Sequence, residues 1–119
     1  MVEKRKHKRV VMQTTISALE ISEVSAKKAQ PFDIDIFDIS VGGIGFHSDR
    51  LLPLNSFYNA DVRLLNGESF ECIIKIVRGF GSRTYTYGSE FISLSPADAY
   101  RIELYILLLE HSPEIQQEN

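Results

Sequence analysis

Hydrophobic and polar positions alternate with a period of two along most of this chain. Val10, Met12, Thr14, Ile16 and Ala18 fall on one side of an extended backbone, while Leu19 and Ile21 continue on the other parity. A first strand with a bulge or bend near Ala18 is expected. Phe32, Ile34 and Ile36 alternate with Asp33, Asp35 and Phe37 in a second strand that runs into Asp38, and Ile44 and Phe46 alternate with Gly45 and His47 in a third. Tyr58, Ala60, Val62 and Leu64 face one way along a fourth strand. Asn66-Gly67 is the best hairpin dipeptide of the sequence, and Phe70, Cys72, Ile74 and Ile76 answer on the returning strand. Gly79 to Arg83 reads as another turn, after which Tyr85, Tyr87 and Phe91 supply a last strand. The Ser-, Lys- and Ala-rich residues 22–30, and the stretch 49–56 with Pro53 and Asn55, read as connections. Short, regularly spaced strands with turn signals between them predict a mainly β fold: an antiparallel barrel of six or seven strands rather than βαβ units.

The period then changes. Ser95-Pro96-Ala97-Asp98 is a helix start, with Ser95 as N-cap, Pro96 at the first helical position and Asp98 at the third, where its charge meets the positive end of the helix. This C-terminal α-helix is expected to run to about Glu110. Its apolar positions fall on two arcs, one with Ala99, Ile102, Tyr105, Ile106 and Leu109, the other with Tyr100, Leu104, Leu107 and Leu108. One arc can cover an open end of the barrel. The second either packs against another copy or a partner protein, with a homodimer through this helix as one outcome, or is buried by a helix sunk deep into the fold.

Length and composition bound the picture. At 119 residues the chain makes one domain, expected over 10–111, between a basic tail (1–9) and a polar tail (112–119). A composition of 44% hydrophobic and 24% charged residues is that of a soluble globular protein. No apolar core follows the charged start, so no signal peptide is expected, and no run approaches the roughly 18 apolar residues that span a bilayer. A lone cysteine, Cys72, cannot form an internal disulfide and suits a reducing cytoplasm.

Charge is informative by position. Five of the 13 Lys and Arg residues (Lys4, Arg5, Lys6, Lys8, Arg9) sit within six consecutive positions, so 8 cations face 16 Asp and Glu in the rest. A basic tail on an acidic body argues against wrapping long nucleic acid, which favours a broad basic face, and suits a small, doubly charged ligand.

The stretch with most chemistry is Asp38-Ile39-Ser40-Val41-Gly42-Gly43. It reads as a turn between two strands that offers a carboxylate, a hydroxyl and backbone amides on one small surface. Asp38 and Ser40, two apart, share a face if the strand keeps its pleat there, and glycines let a ligand approach the backbone. The same residues are also the ordinary vocabulary of a turn. Upstream, Arg5 and Arg9 form an R-x-x-x-R segment. In this order on a short chain, the two segments resemble the PilZ domain family, bacterial receptors for cyclic di-GMP, and Tyr87-Gly88-Ser89-Glu90-Phe91 looks like that family's late strand with its glycine and aromatic.

The resemblance implies a PilZ-like, split-barrel type domain in which the R-x-x-x-R segment and the (D/N)-x-S-x-x-G turn close on the nucleotide from two sides. It assigns cyclic di-GMP to Arg5, Arg9, Asp38, Ser40 and Gly43. Lys4, Lys6 and Gly42 flank them as a second rank. Arginine forks can meet phosphate or the guanine O6/N7 edge and can stack on the purine, and a carboxylate matches guanine N1–H and N2–H₂. The implied role is a non-enzymatic receptor that changes conformation on binding and regulates a downstream partner protein, with no cofactor, no metal and no membrane insertion. An adaptor of the same fold that works through protein contacts without nucleotide is the alternative. His7, His47 and His111 lack zinc-ligand spacing, and no nucleophile–base pair is visible.

Overall fold

The period-two stretches close on themselves. The computed structural model describes residues 9–21, 31–64 and 66–111. Six strands, β1 (Val10–Ile21), β2 (Phe32–Ile39), β3 (Ile44–Ser48), β4 (Phe57–Arg63), β5 (Ser69–Gly81) and β6 (Tyr85–Ile92), precede one helix, α1 (Pro96–His111). The strands form a closed antiparallel barrel in the order β1-β2-β3-β6-β5-β4, with β4 returning to β1.

The inward parity fills the barrel. Ile34, Ile36, Ile39, Ile44, Phe46, Val62, Ile74 and Ile76 are at most 2% exposed, and fully burying such a side chain contributes about 1.5–3 kcal/mol each. Tyr87 is buried among them, and its hydroxyl donates to the Arg50 carbonyl at 2.8 Å while accepting the Leu52 N–H at 2.7 Å, which pins the loop after β3. The first apolar arc of α1 joins the same core through Ile102, Tyr105, Ile106 and Leu109. The helix starts as expected, the Ser95 hydroxyl accepting the Asp98 N–H at 3.1 Å.

Three details depart from simple alternation. The irregularity in β1 lies between Val11 and Thr14; Ala18 instead marks the point where the strand pairs with both Phe32 of β2 and Ala60 of β4, and Leu19 and Ile21 stay partly exposed. β5 runs on through Gly79 to Gly81, into the expected turn, and the Tyr87 ring occupies the space that a Cβ on Gly79 would take. The second helical arc is not buried: Tyr100, Leu104, Leu107 and Leu108 are 41–60% exposed. Among the described residues no helix is long and apolar enough to cross a membrane.

Candidate functional site

Unbroken alternation along β2 would send Asp38 inward with Ile34 and Ile36 and leave Ile39 outside. Burying a lone carboxylate is far more costly than one local break in the ladder. The register shifts by one residue between Ile36 and Asp38 against β3, so Phe37 is an extra residue that reverses the parity. Ile39 becomes fully buried and Asp38 faces outward. Bulges re-aim side chains in this way next to functional sites.

The outward carboxylate is held firmly. Its Oδ1 accepts the Gly45 N–H at 3.1 Å and the Arg9 Nη1–H at 2.7 Å. The Arg9–Asp38 ion pair is mostly shielded, with side chains 15% and 18% exposed. Two residues 29 positions apart thus meet on one patch, and the other carboxylate oxygen accepts no hydrogen bond from the described residues. Arg5, Lys4 and Lys6 lie outside the described residues, as do the connection 22–30 and the tail 112–119.

Ser40, Gly42 and Gly43 form the turn itself. Ser40 is 2% exposed; its N–H donates to the Gly43 carbonyl at 2.9 Å and its hydroxyl accepts the Gly42 N–H at 3.0 Å. The serine therefore shapes the turn, and its buried side chain does not share the outward face of Asp38, since β2 ends at Ile39 and Ser40 already belongs to the turn. The Gly42 carbonyl accepts the Phe91 N–H at 2.9 Å, and a Cβ on Gly43 would run into the Ser89 carbonyl. The turn is docked on β6 with no room for a side chain.

A single rung of the outer barrel face crosses five strands at Asp38. Val11 pairs with Asp38, Asp38 with Gly45, Gly45 with Gly88, and Gly88 with Arg78. Sequence reasoning left Arg78 at a strand end with no assigned role. A second register shift, between Ile76 and Arg78, makes Val77 the extra residue and turns Arg78 outward, as Phe37 does for Asp38. The series Phe70, Cys72, Ile74 and Ile76 has a charged residue at its next inward position, which hints at a break but does not fix where the ladder breaks. On the neighbouring outer rung His47 places Nδ1 3.1 Å from the Thr86 hydroxyl, and its ring lies 4.7 Å from that of Phe37. Among the described residues no group of three His, Cys, Asp or Glu side chains is placed to hold a metal ion.

The sequence profile of the PilZ domain matches residues 3–108 of this chain. No curated protein matches it in sequence. Among solved structures it is similar to YcgR of Escherichia coli in complex with c-di-GMP, at 15% identity and a TM-score of 0.75 over 98% of this chain and 50% of that one. It is also similar to the MrkH–c-di-GMP complex of K. pneumonia, at 18% identity and a TM-score of 0.74 over 95% and 54% of the two chains. The PilZ domain of YcgR with c-di-GMP, 13% identical, aligns over 98% of this chain and 100% of its own length at a TM-score of 0.71. At these identities the likeness is one of fold, and this chain spans about half the length of the YcgR and MrkH chains.

Proposed function

This chain belongs to the PilZ domain family, and from that premise we propose that it is a receptor for cyclic di-GMP rather than an enzyme. The observation that carries the reading is the Arg9–Asp38 pair: the last arginine of R-x-x-x-R and the carboxylate of the turn meet at 2.7 Å on an outward face with glycine beside it. Asp38 is oriented through one oxygen and keeps the other for a donor on the N1–H and N2–H₂ edge of guanine. Arg9, already beside it, meets phosphate or the purine edge with the fork that remains. Arg5, with Lys4 and Lys6 behind it, closes the basic tail of residues 1–9 over the nucleotide from the other side, and the Ser40–Gly42–Gly43 turn holds the edge in place.

Ordering of that tail changes the shape and charge of the surface, and a downstream partner protein in the cytoplasm reads the change. The exposed helical stripe of Tyr100, Leu104, Leu107 and Leu108 favours a protein contact, between two copies or with a partner. The same stripe is what an adaptor acting without nucleotide would use.

Isothermal titration with cyclic di-GMP, beside GMP and cyclic di-AMP, tests the reading. Selective binding that weakens at least tenfold in Arg9→Ala is the expected result, since a hydrogen bond to a charged group contributes about 1.5–3 kcal/mol. No heat and no thermal stabilisation by the nucleotide would turn the assignment to the adaptor.

A further inference from the structure

Beyond the two motifs, the rung at Asp38 carries a flat surface that no motif residue forms. Gly45 and Gly88 are partners on adjacent strands and both face outward. Glycine in the middle of a strand weakens it and marks a place where something approaches the backbone closely. Here that something is two planar side chains. A Cβ on Gly45 would stand 2.7 Å from Asp38 Oδ1 and 2.8 and 2.9 Å from the Cζ and Cε1 edge of the Phe37 ring, so the ring reaches over that glycine beside the carboxylate. The Nη2, Cζ and Nε atoms of Arg78 would stand 2.7, 2.9 and 3.1 Å from a Cβ on Gly88. Three guanidinium atoms at nearly one distance mean that the group lies face-down on the glycine.

An exposed arginine ordinarily extends to water or to an acid. Arg78 makes no ion pair or hydrogen bond with the described residues, and its plane is kept against Gly88 on the rung that also carries Asp38. The Phe37 ring has the His47 ring beside it, with centroids 4.7 Å apart and planes tilted by 35°. Two bulges, one on each flanking strand, deliver this arrangement: the extra residue on β2 is Phe37 itself, and the extra residue on β5 precedes Arg78.

We propose that the Phe37 ring and the Arg78 guanidinium, laid side by side on Gly45 and Gly88, form a stacking floor for a purine base, which makes both specificity-determining residues of the nucleotide site. This rests on the cyclic di-GMP reading and deepens it. Asp38 reads the edge of a guanine; the floor takes its face. Arginine is suited to the task because its cation is planar and weakly hydrated, whereas lysine presents a hydrated point charge that cannot stack. A base stacked on a planar side chain loses about tenfold or more in affinity when the plane is removed.

The test is titration with cyclic di-GMP of the wild type, Arg9→Ala, Arg78→Ala, Arg78→Lys, Phe37→Leu, Phe37→Tyr and Arg83→Ala. Thermal melts without nucleotide check the fold of each. The expected result is about tenfold weaker binding for both Arg78 variants, several-fold for Phe37→Leu, and wild-type affinity for Phe37→Tyr and for Arg83→Ala, an exposed cation in the turn after β5. The guanine H8 resonance of the bound nucleotide moves upfield under the Phe37 ring current in the wild type and not in Phe37→Leu. Should Phe37→Leu disturb the bulge and fail to fold, the Arg78→Lys result decides. Wild-type affinity in both Arg78 variants while Arg9→Ala fails to bind would overturn the stacking floor and leave the receptor intact. A loss in Arg83→Ala as large as in Arg78→Ala would also overturn it, since the effect would then be bulk charge. A wild type that ignores the nucleotide would overturn the receptor reading and the floor with it.

Discussion

Two turns of this barrel contain glycine for opposite reasons. At Asn66-Gly67, between β4 and β5, Gly67 has φ of +93° and nothing lies within 4 Å of where its Cβ would be. The backbone demands glycine there and the surroundings are empty. At Ser40–Gly43, between β2 and β3, Gly43 has no such dihedral, but the Ser89 carbonyl fills the place of its side chain. The first turn only reverses the chain. The second is pressed onto a third strand, and its neighbour Asp38 is held by contacts from Arg9 and Gly45. A turn that is packed on both sides is a turn with fixed geometry, which recognition needs.

Substitutions can break this contrast, beginning with the largest effect. Gly43→Ala forces carbon against backbone that no rotamer change relieves; a loss of about 3 kcal/mol is expected from the denaturant midpoint, at the upper end for overpacking, with nucleotide binding lost as well. Asp38→Ala leaves the turn in place and removes a charge-assisted contact of about 1.5–3 kcal/mol, so titration shows tenfold to hundredfold weaker binding and a smaller change in stability. Gly67→Ala meets only the left-handed backbone penalty of about 1–2 kcal/mol and leaves nucleotide affinity unchanged; altered affinity would show that the two turns communicate.

The smallest effect sharpens the structural side. Burial pushes the Cys72 thiol on β5 up to about 12, with Asp98 and Asp61 adding to the shift. The folded protein keeps this thiol neutral while the unfolded chain ionises it from about pH 9. Stability from this group is therefore complete below that pH and declines as pH rises towards the folded value. Cys72→Ala is expected to flatten that alkaline decline, and native Cys72 to react slowly with a thiol reagent at pH 8.

Most of the barrel was legible because its inward positions keep a period of two over several residues, as Tyr58 to Leu64 and Phe70 to Ile76 do. The helix start was legible because Ser95, Pro96 and Asp98 each answer a local need of a helix terminus. The two arcs of α1 were legible as well, but the exposure of the second depends on where the helix rests on the barrel, which its own residues do not encode. Arg9 and Asp38 were named from their motifs, and their meeting follows from the register of β1 on β2. The two bulges were not legible. A one-residue break in pairing is decided by what both neighbouring strands bury, and Phe37 by itself is only an apolar residue at an outward position. For the same reason the outward guanidinium of Arg78 could not be read from the chain, and the buried hydroxyl of Ser40 could not because the turn after Ile39 sets its direction.

The extra residue at Phe37 has a consequence for inheritance. Loss of that one codon would close the bulge into plain alternation with Asp38 still outward and Ile39 still inward, while every letter of Asp38-Ile39-Ser40-Val41-Gly42-Gly43 remained. The lesion would take away the ring that covers Gly45 and leave the phase of the strand intact, invisible to any comparison that matches the motif's letters. A descendant could spell the motif in full, face its carboxylate outward, and still lack the ring beside it.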